Sequence, residues 1–234
     1  YKNEESELVR LNNEYSYLIT GSDQVWNPIY INNMDNYFLS FARQNKRVAY
    51  APSFSCSKIP EQYEEKYRYW ISNMSAVSVR EAEGARIIKE LTGIDAPVLV
   101  DPTLLLSKEQ WMNIAKKASN RPNEKYILTY FLGKIDDKVE SYIQNISKER
   151  GMKIIRLGDI SDQKTYKTGP NEFIDYINSA SLFFTDSFHG VVFSILLETP
   201  FIVYERKTKA ATMYSRIETL VDKFNLHHRE ALNI

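Results

Sequence analysis

The chain reads as an α/β protein built from two Rossmann-like lobes, each with a mainly parallel sheet flanked by helices. Three observations predict this. Short apolar runs rich in β-branched and aromatic residues alternate with stretches of helical period. Four such runs fall in each half of the sequence. The length, 234 residues, exceeds the roughly 150 of a typical single domain and leaves room for two small lobes.

The runs that read as strands are Tyr17 to Thr20, Arg47 to Pro52, Ala76 to Arg80 and Pro97 to Val100 in the first half. In the second half they are Tyr126 to Leu132, Lys153 to Leu157, Leu182 to Asp186 and Phe201 to Glu205. The helices between them follow from spacing. Tyr63, Tyr67, Trp70, Ile71 and Met74 fall at i, i+4, i+7, i+8 and i+11, which is one face of a helix. Ile135, Val139, Tyr142, Ile143 and Ile146 repeat the template, and Met213, Ile217, Leu220, Val221 and Phe224 repeat it again. Gly151 stands where the second of these helices needs a left-handed C′ residue. A short helix around Trp111 and the polar loop SNRPNEK place the lobe boundary between Ser107 and Asn123, giving lobes 1–107 and 108–234.

Composition narrows the function. Lys and Arg number 30 and Asp and Glu number 30, so no global basic field is present to hold nucleic acid or an anionic membrane. The single Cys56 excludes a disulfide framework and any cysteine-built zinc site. It fits a reducing compartment, and the expectation is a cytoplasmic protein, with peripheral attachment to the inner face of the membrane left open. The most apolar stretch, Val191 to Leu197, is far short of the ~20 residues that cross a bilayer. The eight glycines, at 21, 84, 93, 133, 151, 158, 169 and 190, are too dispersed for GxGxxG, a Walker loop or GxSxG. With His189, His227 and His228 as the only histidines, HExxH is absent. The polar opening YKNEESELVR is no signal peptide, and without an initiator Met the sequence is expected to begin inside a longer protein.

In parallel α/β folds ligands bind at the carboxyl ends of strands, so the short sequences at those ends are the candidate chemistry. They are Gly21-Ser22-Asp23-Gln24, Ser78-Val79-Arg80-Glu81, Asp101-Pro102-Thr103 and Asp186-Ser187-Phe188-His189-Gly190. In the last, a buried strand runs into the apolar helix Phe188 to Leu197, so Asp186 or Ser187 caps that helix and His189 lies in its first turn. Unpaired amides and the positive end of the helix dipole make an anion site there without a glycine loop. The alternative is a structural histidine. Arg80 offers a planar fork for a carboxylate or phosphate, and the alternative is an internal ion pair with Glu81, Glu83 or a nearby Asp. Asp23, after Gly21, can act as a base toward a hydroxyl, or else close an Asx turn or cap a helix. Tyr15, Tyr17, Trp26, Tyr30 and Tyr37 cluster around this segment and can stack on a sugar ring, although packing is the commoner use of aromatics in such a core.

Five ordered blocks then give the chain a likeness: GSDQVWNP at 21–28, YAPSFS at 50–55, SVREAEGARIIKELTG at 78–93, VLVDPTLLL at 98–106 and TDSFHGVVFSILLETPFIVY at 185–204. Together they resemble the polysaccharide pyruvyl transferase family, from about Tyr17 to Leu226. The resemblance implies a glycosyltransferase-B-like fold and transfer of the enolpyruvyl group of phosphoenolpyruvate to two hydroxyls of a sugar in polysaccharide or exopolysaccharide biosynthesis, forming a pyruvate ketal. It implies catalytic roles for Asp23, Arg80 and His189, and substrate contacts by Gly21, Ser22, Ser187, Phe188, Gly190 and Arg216. Two departures accompany it. Many members have Ser-Arg-Leu-His-Gly where this chain has Asp-Ser-Phe-His-Gly, so Ser187 stands where a cationic phosphate ligand is usual. Arg216 is the expected substitute, with Arg206 and Lys207 next. Relatives also begin with a further strand and turn, so the first lobe is expected to be incomplete at its amino-terminal side.

No tightly bound cofactor is implied. Phosphoenolpyruvate is the donor substrate, the acceptor is a saccharide that is free or lipid-linked, and a divalent ion could assist without being indicated. Two other functions share the shell: a nucleotide-sugar or sialyl-type glycosyltransferase, and a non-catalytic carbohydrate-binding relative.

Overall fold

The parallel pairing expected from the apolar runs organises both halves of the chain. In its computed structural model, the described residues are 5–30, 34–206 and 214–231. Tyr1–Pro102 with Ala210–Leu220 forms one compact unit, and Thr103–Lys209 with Val221–Ile234 forms the other. The described residues 214–220, which the sequence assigns to the second lobe, thus belong with the first unit.

The first unit contains β1 (Leu18–Thr20), β2 (Arg47–Ala49) and β3 (Ala76–Val77), parallel and in that spatial order. The helices associated with it are α1 (Glu5–Glu14), α2 (Met34–Tyr37), α3 (Glu61–Ser72) and α4 (Ala82–Thr92). The fourth strand expected at Pro97 to Val100 is reduced to a single parallel bridge between Val79 and Val98. Pro97 has no N–H to give a neighbour, and its carbonyl accepts from the Val79 N–H at 3.0 Å. The core of this unit is aromatic: Trp26 stacks on Phe38 at 4.5 Å between centroids, and Phe38 stacks on Trp70 at 4.8 Å. The stripe counted on α3 faces this core, with Tyr67, Trp70, Ile71 and Met74 buried.

The second unit contains α5 (Lys108–Ile114), β4 (Tyr126–Tyr130), α6 (Asp137–Arg150), β5 (Lys153–Leu157), α7 (Gln163–Tyr166), α8 (Pro170–Ser179), β6 (Leu182–Thr185), α9 (Phe188–Leu197) and β7 (Phe201–Val203). The final helix α10 (Ser215–Phe224) starts in the first unit and ends in the second, and Met213 of its expected stripe lies outside the described residues. The second sheet is wholly parallel in the order β5-β4-β6-β7. The connection leaves β4 toward β5 on one side and resumes at β6 on the other, so the topological switch lies between β4 and β6. Val139, Ile143 and Ile146 of α6 bury against Ile127 and Phe184, and Gly151 ends α6 at φ 60° as the C′ position requires.

Candidate active site

In the first unit the carboxyl ends of the strands converge on a group of charges. Gly21 leaves β1 at φ 133°, and a Cβ there would stand 1.9 Å from the Tyr50 carbonyl oxygen, so only glycine lets the turn approach β2. The Gly21–Ser22 peptide is cis, and Asp23 follows at φ 64°. The turn is tied down on its far side: the Ser53 N–H donates to the Asp23 carbonyl at 2.8 Å, and the Trp26 N–H donates to the Ser53 carbonyl at 3.2 Å. No helix begins at Gln24, so Asp23 is not a cap.

Arg80, just beyond β3, is buried with its side chain 1% exposed. Its Nη1 donates to Asp101 Oδ2 at 2.7 Å and to Ser22 Oγ at 3.2 Å, while Nη2 reaches Asp23 Oδ1 at 3.3 Å. The Ser22 hydroxyl also lies 2.8 Å from Asp101 Oδ2. Arg216, on the first turn of α10, places Nη1 at 3.8 Å from the same Asp23 Oδ1. It is brought there by the docking of α10 on the start of α4, where the Ala82 N–H donates to Thr219 Oγ1 at 3.1 Å. Two buried guanidinium groups therefore face one carboxylate oxygen of Asp23, whose side chain remains 62% exposed. Such an arrangement supplies cations for an anionic ligand and an accessible base beside them.

Glu81, next in sequence, is buried and lies behind this cluster. Its Oε1 accepts from Ser53 Oγ at 2.9 Å, from the Phe54 N–H at 2.8 Å and from the Ser55 N–H at 3.2 Å. Its Oε2 has no partner among the described residues. Burial pushes its carboxyl above the usual range, partly offset by the Arg80 charge and these hydrogen bonds.

In the second unit the DSFHG segment forms the strand-turn-helix expected of it. Of the two possible caps, Ser187 is the one used: its Oγ accepts from the Gly190 N–H at 3.3 Å. Phe188 is buried, His189 is half-buried in the first turn of α9, and their rings meet edge to face at 5.4 Å. Gly190 is required by closeness, since a Cβ there would lie 2.7 Å from Thr185 Oγ1. Asp186 crosses the switch point between β6 and β4, accepting from the Leu132 N–H at 2.7 Å and the Gly133 N–H at 3.0 Å. Arg206 binds it from the end of β7, Nε to Oδ2 at 3.0 Å. Beside this pair lies a cavity of about 270 Å³ whose lining includes Lys134, Asp136, Tyr204 and Arg206.

The nine candidate residues thus fall into two sets: Gly21, Ser22, Asp23, Arg80 and Arg216 in the first unit, and Ser187, Phe188, His189 and Gly190 in the second. Arg206 is the cation adjoining the Ser187 segment, whereas Arg216 stands beside Asp23. Lys207 lies outside the described residues. Asp101 and Glu81 lie in the strand-end segments read from the sequence, which assign them no catalytic or substrate-contact role, Glu81 being considered only as an ion-pair partner of Arg80. The alternative foreseen for Arg80, an internal ion pair, is present, with Asp101 as its partner. Among the described residues no group of three or more His, Cys, Asp and Glu is placed to hold a metal ion, and no helix is long and apolar enough to cross a membrane.

Two parallel sheets flanked by helices, with charged side chains and a helix N-terminus at their carboxyl ends, define an α/β protein. The chain belongs to the polysaccharide pyruvyl transferase family, whose model matches residues 1–208. It is accordingly a member of a transferase family whose chemistry is pyruvyl transfer onto polysaccharide. Among solved structures it is similar to a functionally uncharacterized protein from Klebsiella pneumoniae subsp. pneumoniae NTUH-K2044, with a TM-score of 0.54 and 16% identity over 91% of this chain and 72% of that one. That likeness concerns the fold. No curated protein matches the sequence.

Proposed function

We propose that the protein transfers the enolpyruvyl group of phosphoenolpyruvate to two hydroxyls of a saccharide, giving a pyruvate ketal and inorganic phosphate. The observation that carries this reading is the pair of buried arginines, Arg80 and Arg216, meeting the exposed carboxylate of Asp23 at strand ends. The donor carries a carboxylate and a phosphate on one enol carbon, so its enzyme needs cations, an acid and a base. Arg80 and Arg216 are assigned to the donor's anionic groups. Asp23 takes the proton of the attacking hydroxyl. Ser187, the first-turn amides of α9 and His189 are assigned to the phosphate, with His189 also able to deliver a proton.

A proton adds to the methylene carbon, the sugar oxygen bonds to the resulting cationic carbon, and the C–O bond to phosphate breaks. A second hydroxyl then closes the ketal, so that of the two hydroxyl protons one replaces the proton spent on carbon and the other leaves with phosphate.

Phosphoenolpyruvate is expected to raise the melting temperature while nucleotide sugars leave it unchanged, because binding to the native state adds RT ln(1 + [L]/Kd). Stabilisation by a nucleotide sugar alone would assign the shell to a glycosyltransferase. His189→Ala is expected to fold and to lose roughly a hundredfold in phosphate release with phosphoenolpyruvate and a saccharide, on the order of 3 kcal/mol of transition-state stabilisation. Asn at 189 keeps a donor that does not titrate, and an intermediate rate is expected. Unchanged release by the Ala variant removes His189 from the mechanism.

A further inference from the structure

A cavity of about 300 Å³ opens beside Asp23, walled by Gln24, Val25, Tyr30 and Tyr37. The aromatic cluster of this segment divides sharply around it. Trp26 is wholly buried and stacked in the core, whereas Tyr30 and Tyr37 remain 58% and 46% exposed. Exposed tyrosines at a pocket wall are costly as packing and useful as recognition, since each offers an apolar face and a hydroxyl.

The wall is built rather than incidental. Trp26 Nε1–H donates to the Tyr37 carbonyl at 3.2 Å, and the Tyr67 hydroxyl donates to the Trp26 carbonyl at 2.9 Å, so the core fixes the backbone carrying Tyr37. Asn27, also buried, accepts the Tyr30 N–H on its carbonyl at 3.0 Å and the Ile29 N–H on Oδ1 at 3.0 Å, which fixes the turn carrying Tyr30. Its Nδ2 donates to Gln24 Oε1 at 3.1 Å, which leaves the Gln24 amide nitrogen as a donor at the pocket. Of the Asp23 carboxylate, both arginine contacts fall on Oδ1.

We propose that this pocket is the acceptor subsite and that it receives a neutral pyranose, whose C–H face lies on Tyr30 and Tyr37 while its hydroxyls meet Gln24 and the Asp23 carboxylate. The inference rests on the transfer reading above for the role of Asp23. Its specificity comes from the lining: among the described residues it presents hydroxyl partners in Gln24 and Asp23, while the two arginines that hold Asp23 Oδ1 stand outside it, so the lining offers no cation of its own to a uronic or other acidic sugar.

The test measures saturation transfer by NMR from the protein to methyl glucoside, methyl galactoside, methyl mannoside and glucuronic acid, without donor. At least one neutral glycoside is expected to show transfer to its ring protons and glucuronic acid none. Tyr30→Ala/Tyr37→Ala should lose the signal, and Tyr30→Phe/Tyr37→Phe should keep most of it. With donor present, the Ala variant should raise the acceptor KM tenfold or more and leave the phosphoenolpyruvate-induced melting shift intact. Binding that survives the Ala variant, binding of the acidic sugar in preference, or no binding of any neutral glycoside overturns the subsite. If the neutral sugar binds through these tyrosines but phosphoenolpyruvate neither stabilises the protein nor releases phosphate, the subsite stands and the transfer reading falls.

Discussion

Both units carry an aspartate beside an arginine at the carboxyl end of a parallel sheet, and the two aspartates are used differently. Asp186 is 4% exposed in its side chain and spends its oxygens on two backbone N–H groups and Arg206, stitching the loop after β4 to the end of β6. Asp23 is 62% exposed, and its neighbours are side chains brought from β3 and α10. A carboxylate saturated by backbone amides is a fastener, while one whose contacts with buried cations fall, among the described residues, on a single oxygen leaves the other exposed to solvent. Residue type and position at a strand end do not separate these cases. Burial and partner identity do.

The largest break in this comparison is expected at Arg80. Its ion pair with Asp101 is almost wholly buried, at 1% and 2% side-chain exposure. Arg80→Met leaves the Asp101 carboxylate buried without its main counter-charge, a loss of about 3–5 kcal/mol. Urea denaturation should show it as a lowered midpoint, and phosphate release should vanish even where the variant is folded. A midpoint within about 0.5 kcal/mol of the parent would show that Asp101 finds another partner or a proton, and that the cluster is not held by this pair.

The next step sets the two aspartates side by side. Asp186→Asn removes a charge-assisted acceptor from two amides and Arg206, and a loss of about 2–3 kcal/mol is expected. Asp23→Asn should leave stability within about 0.5 kcal/mol, because the site is exposed and Asn accepts the left-handed backbone that Asp23 adopts. Its phosphate release should fall by roughly 10²–10⁴, the range of a lost general base. If the unfolding midpoints of the two variants coincide, the distinction between fastener and reactive carboxylate fails.

Much of the scaffold could be read from the sequence because pattern and burial agree there. Lys153–Leu157 and Phe188–Leu197 form with the expected ends, the first as an apolar β-branched run and the second between a serine cap and a chain reversal at Glu198, which adopts φ 60°. The candidate site was readable as strand-end segments. Apart from the ion pair of Arg80 with a nearby Asp, what escaped was what the meeting of distant segments sets. Gly21 is obligatory because parallel pairing brings the Tyr50 carbonyl against it, and no local pattern around Gly21 announces that carbonyl. Arg216 reaches Asp23 because Thr219 docks on the start of α4, a contact between segments that lie on opposite sides of the lobe boundary expected at 107/108. The weak edge at Val98 was equally hidden, since Pro97 begins a run whose composition reads as a strand.

The smallest expected effect concerns pH and again separates the units, because the buried acid behind the first site is Glu81. Desolvation raises its carboxyl above the ordinary value. The groups that face it are the Arg80 charge, the Ser53 hydroxyl and the Phe54 and Ser55 amides, all of which favour the ionised form and oppose that rise. With the folded value above the unfolded one, the native state holds the proton more tightly than the unfolded chain. The contribution to stability is therefore complete below the unfolded carboxyl range and is lost as pH rises through the folded value. Glu81→Gln mimics the protonated form, keeping an acceptor for the three donors and an N–H in place of the O–H. Urea midpoints taken from pH 4 upward should fall with rising pH in the parent relative to the Gln variant, with the two curves converging toward the acid end. A difference that grows in the opposite direction would mean that Arg80 and the hydrogen bonds outweigh burial, and that Glu81 serves the site as a carboxylate rather than as a buried acid.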